Sequence, residues 1–145
     1  FDLSLLDKLT DSDGNLIEDY TPETSSQIEA KTSTWDAVQS GIRRVVTEGS
    51  AKSVFAGSHV EVAGKTGTAQ NRGHDHSVFM GFAPMDKPKI AIAVYVENGG
   101  FGAVYGVPIG ALMMEQYLNG ELSESSKIKA EEFSNRTIMY GNQER

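Results

Sequence analysis

The sequence predicts an α/β chain of the α+β type, in which helices pack against an antiparallel sheet. The main observation is a run of three strand-like segments, separated by short stretches rich in Gly, Pro, Asn and Asp, a spacing typical of an antiparallel meander. These segments are Val60–Gln70, His76–Ala83 and Ile90–Val96. An amphipathic helix is predicted on each side of them, and 145 residues are enough for a core of its own.

The helix before the strands is indicated by apolar residues at steps of three and four, which fall on one helical face. Ser33 to Asp36 fit a capping box at its start, and Gly49 is a natural end. Gly41 lies mid-helix and costs roughly 1 kcal/mol relative to alanine, so a close packing contact is expected there. The apolar residues of this face are Trp35, Val38, Ile42, Val45 and Val46.

The helix after the strands begins at Pro108 and ends near Gly120, because proline favours the first helical turn and glycine follows the last. The residues expected on one side of it are Ile109, Leu112, Met113, Gln116 and Tyr117. Core positions under the sheet are predicted for Trp35, Met113, Met114 and Tyr117. At the other end of the chain, Asp11–Gly14 predicts a hairpin between Leu3–Thr10 and Asn15–Tyr20.

The composition excludes several classes of function. The net charge is −7, and residues 1–30 hold eight acidic side chains against Lys8 alone, which disfavours nucleic-acid binding. The absence of cysteine rules out disulfides and thiolate ligands. The longest apolar run, Ile90–Val96, is far shorter than the ~20 residues that span a bilayer. His74 and His76 are too few ligands for a zinc site and are interpreted as loop and strand residues.

One motif could take part in binding or catalysis, namely the stretch Val62-Ala-Gly-Lys-Thr-Gly-Thr-Ala-Gln70. A phosphate-binding P-loop would need glycine at position 59, which is His59, and would have to open a helix. The alternative is a Lys-Thr-Gly strand that lines an acyl-transfer cleft. On its own, such a triplet is more often an exposed turn, so the interpretation depends on its surroundings.

The residue types suit acyl transfer. The ammonium of Lys65 lends positive field to a peptide carboxylate and to a reacting serine. The hydroxyls of Thr66 and Thr68 can bond that carboxylate, and the N–H of Thr68 can act as an oxyanion donor. Gly67 leaves room for a substrate that lies along the strand edge.

Six segments of the chain, within residues 1–119, share one resemblance. They are Trp35–Val46, Ala63–Gln70, Asp75-His76, Gly81–Pro84, Ile90–Val94 and Glu97–Gly100. In this order they resemble the class B penicillin-binding proteins. The Asp-His and Glu-Asn-Gly-Gly details are most similar to the branch called penicillin-binding protein 2, the elongation-specific cell-wall transpeptidase.

The resemblance implies the C-terminal portion of a transpeptidase fold shared with serine β-lactamases. Lys65, Thr66, Gly67 and Thr68 match the third catalytic motif of the family, in which Lys65, Thr66 and Thr68 bind substrate. The family acylates the serine of a Ser-x-x-Lys element with a D-Ala-D-Ala stem peptide and passes the acyl group to a neighbouring stem. β-Lactams trap the acyl-enzyme, and neither metal nor cofactor is implied.

The chain departs from the family pattern because two of the three catalytic motifs are missing from their expected places. It has no Ser-x-Asn triplet, and its one Ser-x-x-Lys match, Ser126–Lys129, follows the Lys-Thr-Gly triplet instead of preceding it. Ser126 is therefore expected to be a solvated serine of a polar tail. We expect residues 1–120 to be an incomplete transpeptidase domain, inactive alone, and residues 121–145 to be a polar tail with a short helix before a frayed end.

The resemblance also implies location and partners. The parent protein would lie at the periplasmic face of the bacterial inner membrane, anchored by an N-terminal helix outside this sequence. Its partners would be peptidoglycan stem peptides, β-lactams and the cell-wall elongation machinery, and the isolated chain would self-associate through an exposed strand edge. Two alternatives are a serine β-lactamase fragment and a non-catalytic β-lactam sensor or interaction domain.

Overall fold

The computed structural model describes residues 6–21, 23–58 and 60–137, and the chain divides into two compact units, Phe1–Trp35 and Asp36–Arg145. The first unit contains an antiparallel hairpin of β1 (Lys8–Thr10) and β2 (Leu16–Asp19). Its turn is held by the carboxylate of Asp11, which accepts the N–H groups of Asp13 and Asn15, while Gly14 adopts a φ of 85°. The predicted hairpin is thus confirmed, although Leu3 to Leu5 of its first segment lie outside the described residues.

The second unit contains the sheet. Its three strands are antiparallel neighbours in the order β3-β4-β5, which confirms the predicted meander. Helix α1 enters this unit from the first. The elements are α1 (Thr32–Thr47), α2 (Lys52–Phe55), β3 (Ala63–Ala69), β4 (His76–Ala83), β5 (Ile90–Val96), α3 (Gly106–Asn119) and α4 (Glu124–Ser134). Within the described residues, no helix is long and apolar enough to cross a membrane.

The core is built around the fully buried ring of Phe79, at the centre of β4. Glycines surround this ring where α3 meets the sheet. A Cβ atom added at Gly110 would lie 2.6 Å from the ring, and one added at Gly64 or Gly81 would lie 2.8 Å from it. A Cβ at Gly106 would lie 3.1 Å from Cβ of Phe79. Helix α3 can therefore approach the sheet closely only because these positions carry no side chain.

The predicted core role of α1 is wrong for its first half. Residues 32–41 are all exposed, Trp35 to 43%, and a Cβ added at Gly41 would meet nothing within 4 Å in the described structure. The helix joins the core only near its end, where Val46 is buried and Arg43 donates to the carbonyl of Val62 at 2.7 Å. It begins at Thr32, one residue before the Ser33 of the predicted capping box.

The face that α3 buries also differs from the prediction. Met114 is buried, but Met113 and Tyr117 are 54% and 62% exposed, so these two are not core residues. The buried positions of α3 include Gly106, Gly110 and Met114, spaced by four residues. The face of α3 that packs on Phe79 is therefore lined by glycine, and a search for apolar side chains at helical spacing does not detect it.

Helix α4 packs on α3 through a partly buried hydrogen bond. Ser126 is only 7% exposed and its hydroxyl donates to the carboxylate of Glu115 at 2.5 Å, so the expected solvated tail serine is wrong. The same carboxylate accepts the N–H of Ser123 at 2.8 Å, at the start of α4. Burial raises the pKa of Glu115, but these two bonds, assisted by the charge of Lys129, outweigh it and lower that pKa overall.

The other end of α4 is held by aromatic contacts. The rings of Tyr105 and Phe133 meet edge to face at 6.0 Å, and the guanidinium of Arg136 lies 4.5 Å from the centre of the Phe133 ring. The two helices therefore form an antiparallel hairpin. Residues 138–145 of the predicted tail lie outside the described residues.

Two glycine-to-alanine substitutions test this packing, because both positions are helical but only one is crowded. Gly41→Ala should raise the free energy of unfolding by about 0.4–1 kcal/mol, since alanine has less conformational entropy to lose and meets no neighbour. Gly110→Ala should lower it by about 1–3 kcal/mol, since its methyl group overlaps the ring of Phe79. Urea denaturation of the three proteins measures both changes, and equal changes of the same sign would contradict the packing around Phe79.

Candidate functional site

The residues of the Lys-Thr-Gly motif lie on β3, an edge strand that pairs with β4 on one side only within the described sheet. Gly64–Thr66 thus belong to a strand and open no helix, which excludes the P-loop interpretation. The register places Lys65 opposite Met80 and Gly67 opposite Val78, on the sheet face away from Phe79. Lys-Thr-Gly therefore borders a free strand edge, as the sequence predicted.

Strand alternation divides the predicted site residues between the two faces. Lys65 and Gly67 lie on one face, whereas Thr66 and Thr68 pair with Phe79 and Ser77 on the face that carries α3. What the four residues share is the backbone of β3, which forms the free edge of the described sheet. An exposed edge beside an ammonium suits an extended peptide that ends in a carboxylate, because the edge can pair with its backbone and the cation with its terminus.

Lys65 is exposed and has no carboxylate partner among the described residues. Its ammonium donates to the carbonyl of Thr66 at 2.7 Å. Beside it lies a shallow recess of about 420 Å³, lined largely by apolar side chains that include Met80, Phe82 and Ile92. The positive charge of Lys65 is therefore available to a ligand at the rim of an apolar surface.

Thr66 has a partner that the sequence did not indicate. Its hydroxyl lies 2.7 Å from that of Ser50, which follows α1. No spacing rule connects these two residues, since they are 16 positions apart and belong to different elements. Thr68, in contrast, is exposed, and its hydroxyl makes no hydrogen bond within the described part of the chain.

The backbone of Gly67 is supported from behind by the loop that follows β5. A Cβ added at Gly102 would lie 2.5 Å from the carbonyl oxygens of Gly67 and Val78, so this loop touches the sheet directly beneath the motif. On the open face, a Cβ added at Gly67 would lie 3.3 Å from Cβ of Val78. Sequence reasoning used Glu97–Gly100, the start of this loop, only for its resemblance and missed its position behind the motif.

The loop is attached to β4 by one buried side chain. The hydroxyl of Ser77 donates to the carbonyl of Phe101 and accepts the N–H of Gly106, both at 3.0 Å. Ser77 is fully buried and has both its donor and its acceptor capacity used. This small side chain therefore holds the loop against the back of the sheet.

The Ser-x-x-Lys match lies elsewhere. Ser126 and Lys129 line a cavity of about 380 Å³ together with Phe55, Met114 and Glu115, and none of Lys65 to Thr68 lines it. Ser126 is therefore not brought together with the Lys-Thr-Gly motif. In the described ranges, no three His, Asp or Glu side chains form a group that could hold a metal ion.

Comparison with known proteins identifies the family. The model of the penicillin binding protein transpeptidase domain matches residues 2–115. The peptidoglycan D,D-transpeptidase MrdA of Haemophilus influenzae is 33% identical over 115 residues, a match that covers 67% of this chain and 18% of that protein. The chain thus spans less than a fifth of that relative.

Solved structures support the same assignment. A crystal structure of Pseudomonas aeruginosa PBP2 in complex with WCK 5153 aligns with a TM-score of 0.63 at 38% identity, over 78% of this chain and 26% of that one. A structure of a peptidoglycan synthase complex, described as coordinating polymerization and crosslinking, aligns with a TM-score of 0.58 at 27% identity, over 76% and 19%. The predicted resemblance is confirmed, and the chain belongs to the family of penicillin-binding protein transpeptidase domains, beside its MrdA and PBP2 members.

Proposed function

We propose that this chain is the C-terminal part of a peptidoglycan D,D-transpeptidase that cross-links the cell wall during elongation. The observation that carries the proposal is the placement of Lys65 on a free strand edge, without a carboxylate partner in the described structure. Family membership connects this placement to a reaction, because relatives that match this chain are named peptidoglycan D,D-transpeptidases. No observation favours the β-lactamase or sensor alternatives.

In this proposal, the chain binds and polarises while a serine outside these 145 residues reacts. The free edge of β3 pairs with the extended end of a stem peptide, and Lys65 attracts its terminal carboxylate. The hydroxyl of Thr68 adds a hydrogen bond, and its N–H faces the carbonyl oxygen as charge develops there. Thr66, bonded to Ser50, has the more structural role of the two threonines.

The setting follows from the same proposal. A β-lactam would occupy the place of the stem peptide, and the parent protein would act at the periplasmic face of the inner membrane. The aligned peptidoglycan synthase complex supports a role within a larger assembly, here the cell-wall elongation machinery.

The first test uses this chain alone. Incubation with a fluorescent penicillin should give no covalent adduct, because the chain has no Ser-x-Asn triplet and Ser126 is buried against Glu115. Intact-mass spectrometry of the chain and of its Ser126→Ala variant measures the outcome. An adduct on the chain that disappears in the variant would make Ser126 a nucleophile and overturn the proposed division of roles.

The second test uses a longer protein that carries this segment together with a Ser-x-x-Lys element. Lys65→Ala should slow acylation by a β-lactam by about 10²–10³-fold, the usual loss for one preorganised electrostatic donor. The matched control is Lys89→Ala, an exposed lysine before β5, which should leave the rate unchanged. Stopped-flow acylation rates decide it, and a change below about threefold for Lys65→Ala would refute the proposed role.

We also expect the isolated chain to pair with a second copy of itself. The outer edge of β3 has no strand partner within the described sheet, and Met80 of the adjoining strand β4, on the open face beside Lys65, is 57% exposed. Light scattering over a dilution series should therefore detect dimers or larger species. Met80→Glu should shift the equilibrium to monomer, whereas Met113→Glu, at a similarly exposed methionine on α3, should not. A wild-type chain that stays monomeric at high micromolar concentration would contradict this expectation.

A further inference from the structure

One histidine holds the start of the loop that supports the Lys-Thr-Gly motif. The Nδ1 atom of His76 accepts the backbone N–H of Asn98 at 2.9 Å. A neutral imidazole has one acceptor nitrogen and an imidazolium has none, so this bond exists only when His76 is neutral, with its proton on Nε2. Protonation would turn two N–H groups toward each other.

The turn that His76 holds has a left-handed backbone conformation. Asn98 adopts a φ of 55° and Gly100 a φ of 71°, both in the left-handed region, which glycine enters freely and which asparagine enters more readily than most residues with a side chain. The bond from Asn98 to His76 helps to fix this conformation. The next residue back from His76 contributes as well, since the carbonyl of Asp75 accepts the N–H of Gly100 at 2.7 Å.

The turn leads directly to the back of the motif. A Cβ added at Gly99 would lie 3.0 Å from Cβ of Ser77, so the chain passes tightly over β4 after Asn98. The carbonyl of Phe101 is then fixed by Ser77, and Gly102 touches the backbone of Gly67. A continuous path of close contacts thus joins the imidazole of His76 to the strand that would bind substrate.

We propose that His76 is a positioning residue for the transpeptidase site, which keeps the backbone of Gly67 in place only while its imidazole is neutral. The inference rests on the proposed function for its catalytic meaning, but not for its structural part. His76 touches no substrate in this arrangement. It acts through Asn98 and Gly102 on the strand edge that pairs with the stem peptide.

The ionisable groups around the ring define how pH acts on it. The Tyr95 ring of β5 contacts the imidazole, with ring centres 5.1 Å apart. The strand segment opposite, around Ala69, has no ionisable side chain between Thr68 and Gln70. The remaining ionisable residues of the adjoining segments are Arg72, His74, Asp75 and Glu97. Because Nδ1 accepts a bond only in the neutral ring, the bond depends on the protonation state of His76.

The test is a pH titration of this chain, with its own amide signals followed by NMR. In the wild-type protein, the amides of Asn98, Gly102 and Gly67 should move together with the titration of the His76 ring. His76→Asn places an amide oxygen where Nδ1 was, so these signals should stay at their high-pH positions throughout. His76→Phe removes the acceptor, so the amide of Asn98 should exchange about tenfold faster with solvent at high pH. Gly120, which caps α3, serves as the unaffected control.

Two outcomes would overturn the inference. If Asn98 responds to the titration but Gly67 does not, His76 holds only its own turn. If His76→Asn behaves like His76→Phe, the acceptor atom is not the cause. Should His76→Phe fail to fold, the comparison of wild type with His76→Asn still decides the question. The measurement needs neither a serine nor catalysis, so its failure would leave the proposed function standing, and the failure of the acylation tests would leave this result standing.

Discussion

The packing of Phe79 is the constraint on which the second unit depends. Its ring fills space that glycines of β3, β4 and α3 leave empty, so the helix lies close to the sheet, and Gly106 approaches the backbone of β4 itself. One of those glycines, Gly64, immediately precedes Lys65. Since neighbouring residues of a strand point to opposite faces, the contact that holds Gly64 against the ring also directs Lys65 to the open face.

The same constraint explains why support for the motif comes from behind. Because α3 lies so close to the sheet, the chain that joins β5 to α3 crosses the same face of the sheet, directly against β4 and the backbone of Gly67. Ser77 is small enough to lie beneath that chain, and it supplies both hydrogen bonds that the chain needs there. A larger residue at this position would lift the loop away from the strand. At the candidate site, strand β3 is therefore open to a ligand on one face and is supported by the loop on the other.

Much of the fold could be predicted because the strands carry a strong local signal. The apolar segments of β4 and β5 are bounded by Gly, Pro and Asn, and their limits agree with the structure residue for residue. The Lys-Thr-Gly motif and its edge position followed from the same reasoning together with the family resemblance. These features depend on residues that are neighbours in sequence, which a single sequence shows directly.

The errors concern contacts between distant residues. Large apolar residues favour burial, which predicts core positions for Trp35 and Tyr117, but both are exposed. On α3, the helical face that meets Phe79 is determined by space, and glycine supplies that space. The charged neighbours of Ser126 predict a solvated side chain, yet a carboxylate 11 positions earlier binds it. Ser50 and Thr66, like His76 and Asn98, meet only once the strands have paired. No periodicity in the sequence predicts such contacts between distant residues.

The bond between Ser126 and Glu115 has a consequence for the order in which the protein opens. Helix α3 is anchored in the core by Gly110 and Met114, whereas α4 is attached to α3 by that bond and by the aromatic contact of Phe133. Glu115 also takes up an N–H at the start of α4 that would otherwise lack a helical acceptor. Helix α4 can therefore detach while α3 stays in place. We therefore expect α4 to open at a lower free energy than α3, because its contacts are fewer and lie further from the core.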